Sequence, residues 1–322
     1  MGTYITAIGQ PITTEAVLGK GGEGDIYRVP SNLQQVAKIY HEKDWNGERE
    51  NKLKAMILNP PVDETRQKYQ HISIAWPEEI LYEKGEVVGF LMPNIDKHPI
   101  IYECFAPQSR TKFPGINGAH LHHIAANLAA AVHSIHMIGH VIGDINQKNI
   151  LVTPQSMITV IDTDSFQVRD QNGKIYRCLV GSPEFMAPEL LEKNEKGDRK
   201  VRVENTDRTP HQDNFGLAVL IYKLIADGRH PFYTADSYVE DQLNVVGNFN
   251  NLPLKTIHPG LQRLFAQCFL DGASAGQIAE HQHRSDDGAL VIDDRRPAIV
   301  DRDFTAVAGN QECMVAKPDD GP

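Results

Sequence analysis

The stretch HVIGDINQKNILV, from His140 to Val152, decides how this sequence is read. It places an aspartate, Asp144, five positions before an asparagine, Asn149, and then turns apolar. The preceding segment, LHHIAANLAAAVHSIHMIG, has an Ala-rich amphipathic pattern that predicts a helix ending at Gly139, a suitable C-cap. We therefore expect a polar loop directly after a helix and before an apolar segment.

The composition sets the broad class of protein. A chain of 322 residues with 41% hydrophobic and 23% charged residues can bury a sizeable core, as one large domain or two ordinary ones. Its formal net charge of -10 argues against a general surface for nucleic acid or for an anionic membrane. The longest apolar run, FGLAVLIYKLIA from Phe215 to Ala226, is too short to cross a bilayer and predicts a buried helix.

The cysteines and the N-terminus indicate the compartment. The four cysteines show no CxxC spacing, which fits reduced thiols better than a disulfide frame or a zinc site. They are Cys104, Cys178, Cys268 and Cys313. The N-terminus lacks the basic-then-apolar pattern of a signal peptide. We expect a soluble, cytoplasmic protein with neither a membrane nor a nucleic acid among its partners.

The chain has two different textures. Up to about residue 92, short alternating apolar runs predict strands, with one charged helical segment that stops before Pro60 and Pro61. Beyond about residue 97 the pattern turns helical. We expect an α+β, bilobal fold, with a small antiparallel sheet and one helix in an N-terminal lobe over about 8–92. A hinge at about 93–96, a larger helical lobe over about 97–300 and a polar, partly disordered tail at about 301–322 complete it.

A glycine-rich run lies near the N-terminus. LGKGGEGDIYRV contains Gly19, Gly21 and Gly24 in a Gly-x-Gly-x-x-Gly pattern, followed by Ile26. Glycines let backbone N–H groups approach phosphate oxygens closely. A dinucleotide-binding fold would place a helix directly after the pattern, whereas β-type residues follow here. We expect a glycine-rich hairpin over a nucleotide; turn glycines without a ligand are the alternative.

Lys38 follows in the mostly apolar run VAKIY. Behind a glycine-rich hairpin it is placed to reach the α- and β-phosphates of a nucleotide, held by a carboxylate on the next helix. Glu50 in ERENKLKAM is the expected partner and Glu48 is the alternative. A solvated helix face is the interpretation without function for either residue.

Two later segments carry a family resemblance. GSPEFMAPE, from Gly181 to Glu189, looks like the peptide-receiving loop and Ala-Pro-Glu segment of Ser/Thr kinases. DNFGLAVLIYKLIADGRHPF, from Asp213, is similar to the kinase helix that opens with a buried aspartate. With the motifs above, the chain resembles the eukaryotic-like protein kinase superfamily from about Leu18 to Phe232. GGEGDIY, GFLMP and DTDSFQV are similar to a bacterial branch attached to helix-hairpin-helix regions, or encoded beside phosphatase and von Willebrand A-type partners.

The resemblance implies roles for the polar residues. Asp144 matches the aspartate that orients the substrate hydroxyl and accepts its proton, and Lys148 is expected to reach the transferred phosphate. Asn149 and Asp162 match the family's Mg²⁺ ligands, and two oxygen donors flanking a triphosphate suit this ion. The metal, Lys38 and a positioned hydroxyl would then supply most of the rate.

The same resemblance implies an adenine site at the hinge. Met92 matches the last residue of a strand, Pro93 retains a carbonyl acceptor, and Ile95 is expected to supply a backbone N–H. Three apolar residues are expected to sandwich the ring: Ile26, Ala37 and Leu151.

Several residues depart from the family pattern. Ile142 and Gly143 replace the usual His-Arg, so activation through a phosphate–arginine pair is not expected. DTD replaces Asp-Phe-Gly, which puts Thr163 in place of the aromatic residue and Asp164 in place of the glycine. Loss of the aromatic residue argues against an inward–outward flip as the main switch, and Asp164 is a candidate second carboxylate near the metal.

Together with these residues, the resemblance implies an ATP- and Mg²⁺-dependent protein kinase that transfers the γ-phosphoryl group to a protein hydroxyl. The GSPEF segment favours Ser/Thr, and the loop is of the non-RD kind, because Gly143 replaces the arginine before the catalytic aspartate. The expected partners of this kinase are a protein substrate, with itself as one candidate, and by resemblance a phosphatase or von Willebrand A-type protein. The alternative is a catalytically silent nucleotide-binding scaffold. A pseudokinase commonly lacks at least one of four residues, and this chain lacks none of them: Lys38, Asp144, Asn149 and Asp162.

Overall fold

One antiparallel sheet of seven strands forms the N-terminal lobe. The computed structural model describes residues 2–41, 47–193, 199–201, 206–231, 233–234, 237–238 and 265. The strands are β1 (Gly2–Thr6), β2 (Pro11–Thr14), β3 (Val17–Lys20), β4 (Gly24–Arg28), β5 (Gln35–Tyr40), β6 (Glu79–Glu83) and β7 (Glu86–Pro93). Their order across the sheet is β2-β1-β6-β7-β5-β4-β3. The sheet begins at Gly2, earlier than the lobe boundary near residue 8 that the sequence predicted.

The alternation of β5 separates two sides of this sheet. Ala37 and Ile39 face a small apolar cluster that includes Leu81 and Leu91. Because side chains on a strand alternate, Lys38 lies on the opposite side, which faces the C-terminal lobe. The sheet therefore presents Lys38 toward the cleft, and this apolar cluster lies on its other face.

Two helices accompany the sheet, where the sequence predicted one. Helix α1 (Gly47–Leu58) ends just before Pro60 and Pro61, as expected, because neither proline has an N–H to continue the helix and the residue before a proline disfavours helical backbone. Helix α2 (Glu64–Tyr69) is a short additional helix. Asp63 caps it by accepting a hydrogen bond from the Arg66 N–H at 3.0 Å.

The C-terminal lobe is built around α3 (Gly118–Met137) and α4 (Pro210–Ile225). Helix α3 ends beside Gly139, whose φ of +80° confirms the predicted glycine stop. Every residue of α4 from Asp213 to Leu224 is buried, which confirms the predicted core helix. None of the helices in the described part of the chain is long and apolar enough to cross a membrane.

Short hairpins and turns complete this lobe. The strands are β8 (Ile150–Val152), β9 (Ile158–Val160), β10 (Val168–Arg169), β11 (Ile175–Tyr176), β12 (Leu191–Lys193), β13 (Arg199–Val201), β14 (Tyr233–Thr234) and β15 (Ser237–Tyr238), paired in sequence order. The 3-10 turns are Ile101–Cys104, Pro107–Lys112, Thr163–Ser165, Pro183–Phe185 and Pro188–Leu190. The predicted end of the lobe near residue 300 and the polar tail at 301–322 lie outside the described residues.

Candidate active site

The loop between α3 and β8 is attached to α4 through its backbone. The buried carboxylate of Asp213 accepts hydrogen bonds from the N–H groups of Ile142 at 2.7 Å and Gly143 at 2.8 Å. His136 of α3 contacts the same carboxylate at 2.8 Å. Gly143 has a φ of +76°, and a Cβ there would lie 2.7 Å from the Cβ of Cys178. The glycine in place of the usual arginine is therefore required by the backbone.

Asp144 lies at the centre of this loop. Its Oδ2 accepts a hydrogen bond from Asn146 Nδ2 at 2.9 Å, whereas its Oδ1 is buried and has no hydrogen-bond partner among the described residues. Burial raises the pKa of Asp144, and the neighbouring Ser182 and Asn146 counteract this effect in part. Oδ2 is thus held in place by a hydrogen bond, while Oδ1 remains free to accept one. Lys148, predicted to act here, is exposed on the same loop.

The β8–β9 hairpin brings the two predicted metal ligands together. Ile150 pairs with Val160, so Asn149 and Asp162 leave the hairpin at the same end. The Ile161 N–H donates to the Asn149 carbonyl at 2.9 Å, which fixes this end. Asp162 has a φ of +60° and a ψ of +37°, a left-handed backbone that aspartate tolerates better than most residues. Such strained residues are concentrated at functional sites.

Lys38 connects the sheet to the segment that carries Asp162. Its Nζ lies 2.9 Å from Asp162 Oδ1 and 2.6 and 2.9 Å from the two oxygens of Asp164. The Tyr40 hydroxyl donates to Asp164 Oδ2 at 3.0 Å. Burial acts to lower the pKa of Lys38, but the two carboxylates outweigh it and raise that pKa. Burial opposes the charge on Asp164, yet Lys38 lowers its pKa, so both groups of the pair are ionised.

The carboxylate that holds Lys38 is not the predicted one. Glu50 pairs with Lys54 at 2.6 Å within α1, and the alternative, Glu48, pairs with Lys174 at 3.1 Å. The expected Lys38–Glu50 pair is therefore not formed. Both glutamates use nearer lysines on the surface, and the buried Asp164 takes the position next to the Lys38 ammonium.

The glycine-rich run forms the predicted hairpin of β3 and β4. The Gly21 N–H donates to the Gly24 carbonyl at 3.0 Å, which closes the turn. A Cβ on Gly24 would lie 2.4 Å from the Ile39 carbonyl oxygen of β5, so no other residue fits there. At the tip, Glu23 pairs with Arg49 of α1 at 2.9 Å. The third glycine, Gly19, lies in β3 opposite Ile26.

The residues predicted to surround an adenine ring do not all lie on the same side of the sheet. Ile26 and Met92 lie beside β5 on the side of Lys38, because Ile26 pairs with Lys38 and Met92 pairs with Val36. Ala37 lies on the opposite face, in the outer apolar cluster, so it cannot cover a base in the cleft. Val36 occupies the cleft face in its place, and the alternation of the strand was a sufficient signal to find it.

The remaining hinge residues lie at the end of β7. Pro93 pairs with Gln35, and the Asn94 N–H donates to the Gln34 carbonyl at 2.8 Å. Ile95 follows after the pairing ends. Leu151 of β8 is bridged to Ile100, which places it on the C-terminal side of the same connection.

These residues are chemically suited to Mg²⁺ and a nucleotide. The Asp162 side chain is 46% exposed despite its contact with Lys38, so its carboxylate is accessible to an ion. No group of three or more His, Cys, Asp or Glu that could hold a metal is found among the described residues. One carboxylate and one amide are a small donor set, which suits Mg²⁺ because this ion retains waters and binds substrate phosphates.

Comparison with known proteins shows which family this chain resembles. The family described as the protein kinase domain matches residues 12–271. Protein kinase YegI of Escherichia coli O157:H7 is 35% identical over 233 residues, which cover 71% of this chain and 34% of that protein. Serine/threonine-protein kinase MRCK gamma of Mus musculus is 30% identical over 128 residues, 39% of this chain and 8% of that protein. The chain spans about a third of the length of its YegI relatives.

A solved structure of vaccinia related kinase 3 has the same fold. It superposes with a TM-score of 0.59 at 13% identity and covers 96% of this chain and 91% of its own. The bilobal, α+β fold predicted from the sequence is confirmed. With a family match from residue 12 to residue 271, the chain belongs to the protein kinase domain family.

Proposed function

We propose that this protein uses ATP and Mg²⁺ to phosphorylate Ser or Thr hydroxyl groups of a protein. The observation that carries the proposal is Asp144, whose buried Oδ1 has no hydrogen-bond partner in the described structure while Asn146 holds its Oδ2. A buried acceptor without a partner is costly, so a hydroxyl donor from a substrate is the natural complement.

The residues around Asp144 supply the other parts of the reaction. The Lys38 ammonium is suited to bind phosphate oxygens, and the β3–β4 hairpin covers that region with closely approaching backbone. Asn149 and Asp162 would hold Mg²⁺, which supplies charge neutralisation for the transferred group. Asp144 orients the hydroxyl and accepts its proton as the phosphoryl group is transferred. Lys148 is exposed and charged on the same loop, available to the transferred group.

Labelling with γ-labelled ATP and Mg²⁺ tests this proposal. The wild type and Asp144→Asn should be compared, followed by mapping of the phosphorylated residues. We expect label on Ser or Thr in the wild type, at least about 100-fold less in the variant, and nearly unchanged ATP binding by calorimetry. Full labelling by Asp144→Asn contradicts the assigned role. ATP binding without transfer to any substrate, in the wild type too, would favour the nucleotide-binding scaffold.

The preference for Ser/Thr rests on the peptide-receiving segment GSPEF and on relatives named as serine/threonine kinases. The non-RD loop assignment rests on Gly143. The proposal requires the cytoplasm, where ATP is available, and the buried, free thiols of Cys104 and Cys178 suit a reducing compartment. The resemblance to bacterial kinases encoded beside phosphatases supports a phosphatase or von Willebrand A-type partner. The simplest protein substrate is the chain itself.

A further inference from the structure

The segment after β9 contains a second aspartate, Asp164, which is buried and whose contacts are not explained by metal binding. Asp164 is 8% exposed, and both of its oxygens are used by protein groups. Lys38 Nζ lies within 2.9 Å of each oxygen, and the Tyr40 hydroxyl donates to Oδ2 at 3.0 Å. Asp162, by contrast, makes one contact to Lys38 and is nearly half exposed. The two aspartates therefore have different environments and are suited to different tasks.

We propose that Asp164 is the positioning residue that holds the Lys38 ammonium in place for the phosphates of the nucleotide. The inference rests on the proposed function of the same site. Fixing the ammonium of a long lysine side chain costs conformational entropy, and contact with both oxygens of one carboxylate offsets this cost. Tyr40 in turn holds that carboxylate through its hydroxyl.

The neighbouring residues keep Asp164 itself fixed. The Thr163 hydroxyl donates to the Ala75 carbonyl at 2.7 Å, and both groups are buried. Arg49 of α1 lies 4.2 Å from the centre of the Tyr40 ring. The segment is thus joined to the sheet through Lys38 and Tyr40 and to the chain before β6 through Thr163. A helix carboxylate is not needed to orient Lys38.

Three acid-to-amide variants test this assignment: Asp164→Asn, Glu50→Gln and Asp227→Asn. Glu50→Gln removes the competing carboxylate on α1. Asp227→Asn is a matched control, because it removes an exposed partner of Arg110 after α4. The affinities for Mg²⁺–ATP and for adenosine are measured by calorimetry. The kcat and the KM for ATP are measured with a protein substrate that the wild type phosphorylates. Adenosine lacks phosphates, so a general distortion would weaken both ligands equally.

For Asp164→Asn we expect the affinity for Mg²⁺–ATP to fall several-fold and kcat to fall about tenfold. The affinity for adenosine should stay within about twofold of the wild-type value. Glu50→Gln and Asp227→Asn should change each quantity by less than about twofold. Tyr40→Phe removes only the hydrogen bond from the phenol to Asp164. It should lower the ratio of ATP affinity to adenosine affinity, as Asp164→Asn does, but by a smaller factor. This milder variant decides the question if Asp164→Asn does not fold.

Two outcomes would overturn the assignment. One is a larger loss of ATP affinity in Glu50→Gln than in Asp164→Asn, and the other is an equal loss for ATP and adenosine in Asp164→Asn and Tyr40→Phe. A wild type that binds ATP but transfers nothing contradicts the proposed function alone, because the ratio of the two affinities still reports on Lys38.

Discussion

Lys52 of α1 is a second lysine near Asp164, the carboxylate that contacts Lys38. Burial lowers the pKa of Lys52 to about 8, although Cys178 and Asp164 near it act in the opposite direction. In the unfolded chain a lysine has its ordinary value near 10.5. The folded protein therefore binds fewer protons than the unfolded chain between these two values, so the stability contributed at this residue rises with pH in that window.

The variant Lys52→Met tests this charge. Below about pH 8 the folded protein carries the full cost of holding the ammonium, so the variant should have the larger free energy of unfolding. That advantage should narrow as pH rises from about 8 toward about 10.5, where the wild-type lysine is neutral in both states. Chemical denaturation of both proteins at several pH values measures it.

Lys54→Met is the matched control on the same helix. Lys54 is exposed and paired with Glu50, so its removal should give no gain in stability near pH 7. A difference between Lys52→Met and wild type that does not depend on pH would contradict the lowered pKa.

At the level of single residues, the sequence indicated which side chains belong to the site more reliably than which of them form pairs. Lys38 and Asp162 are in contact, and Asn149 and Asp162 leave one hairpin end, so residues that the resemblance assigned to one site lie close together. The Ala37 error was avoidable, since a strand alternates and Val36 precedes it by one position. The Lys38–Asp164 pair was not predicted, because the resemblance gives the role of holding Lys38 to a helix carboxylate and the pair depends on tertiary burial.

At the level of elements, α4 carries the loop that contains Asp144. Two backbone N–H groups of that loop and His136 of α3 converge on the carboxylate of Asp213, which is 3% exposed. Ionised carboxylates accept strong hydrogen bonds, and a buried acceptor that serves three donors cannot be replaced by an amide without loss. The position of Asp144 thus depends on a buried residue of α4.

The variant Asp213→Asn should therefore reduce stability and activity together. An asparagine side chain offers one acceptor oxygen, so at least one of the N–H groups of Ile142 and Gly143 loses its partner. We expect the free energy of unfolding to fall by about 2–3 kcal/mol, measured by urea denaturation. Asp207→Asn, which removes an exposed pair with Arg177 at 2.7 Å, should cost less than about 0.5 kcal/mol. Equal effects of the two variants would exclude Asp213 as the anchor.

The elements themselves were predicted unevenly. The glycine stop after α3, the proline stop after α1 and the buried α4 follow from local signals that operate without tertiary help. Strands β1 and β2 were not identified individually, and β1 lies ahead of the lobe boundary predicted near residue 8, because short strands have weak signals of their own. Their place in the sheet is decided by pairing, with Thr6 opposite Leu81 of β6.

At the level of the whole molecule, the two lobes share a buried connection away from the hinge. The Ala75 N–H donates to the Val160 carbonyl at 2.9 Å, and the Val160 N–H donates to the Ser73 carbonyl at 2.8 Å. Trp76 stacks on His140 with ring centres 5.6 Å apart. These contacts join the segment before β6 to β9 and to the start of the Asp144 loop. The site therefore lies between two lobes that are joined by these contacts as well as by the hinge.

Because the proposed nucleotide and metal would bind between the two lobes, ligand binding should stabilise the whole protein. A ligand at about 100 times its Kd adds about 2.7 kcal/mol to the free energy of unfolding. We expect Mg²⁺–ATP to raise the Tm by several degrees, and removal of Mg²⁺ with a chelator to abolish most of that shift. Without the ion, the triphosphate faces the carboxylates of Asp144 and Asp162, which repel it.

Adenosine separates the effect of the metal from that of the base. It carries no phosphates, so its smaller Tm shift should be the same with and without Mg²⁺, and Asp162→Ala should reduce the shift from Mg²⁺–ATP but leave that from adenosine. A metal-independent ATP shift would mean that Lys38 and the glycine hairpin alone bind the phosphates. In that case Asn149 and Asp162 would have no role in nucleotide binding, and the assignment of Mg²⁺ to this pair would be wrong.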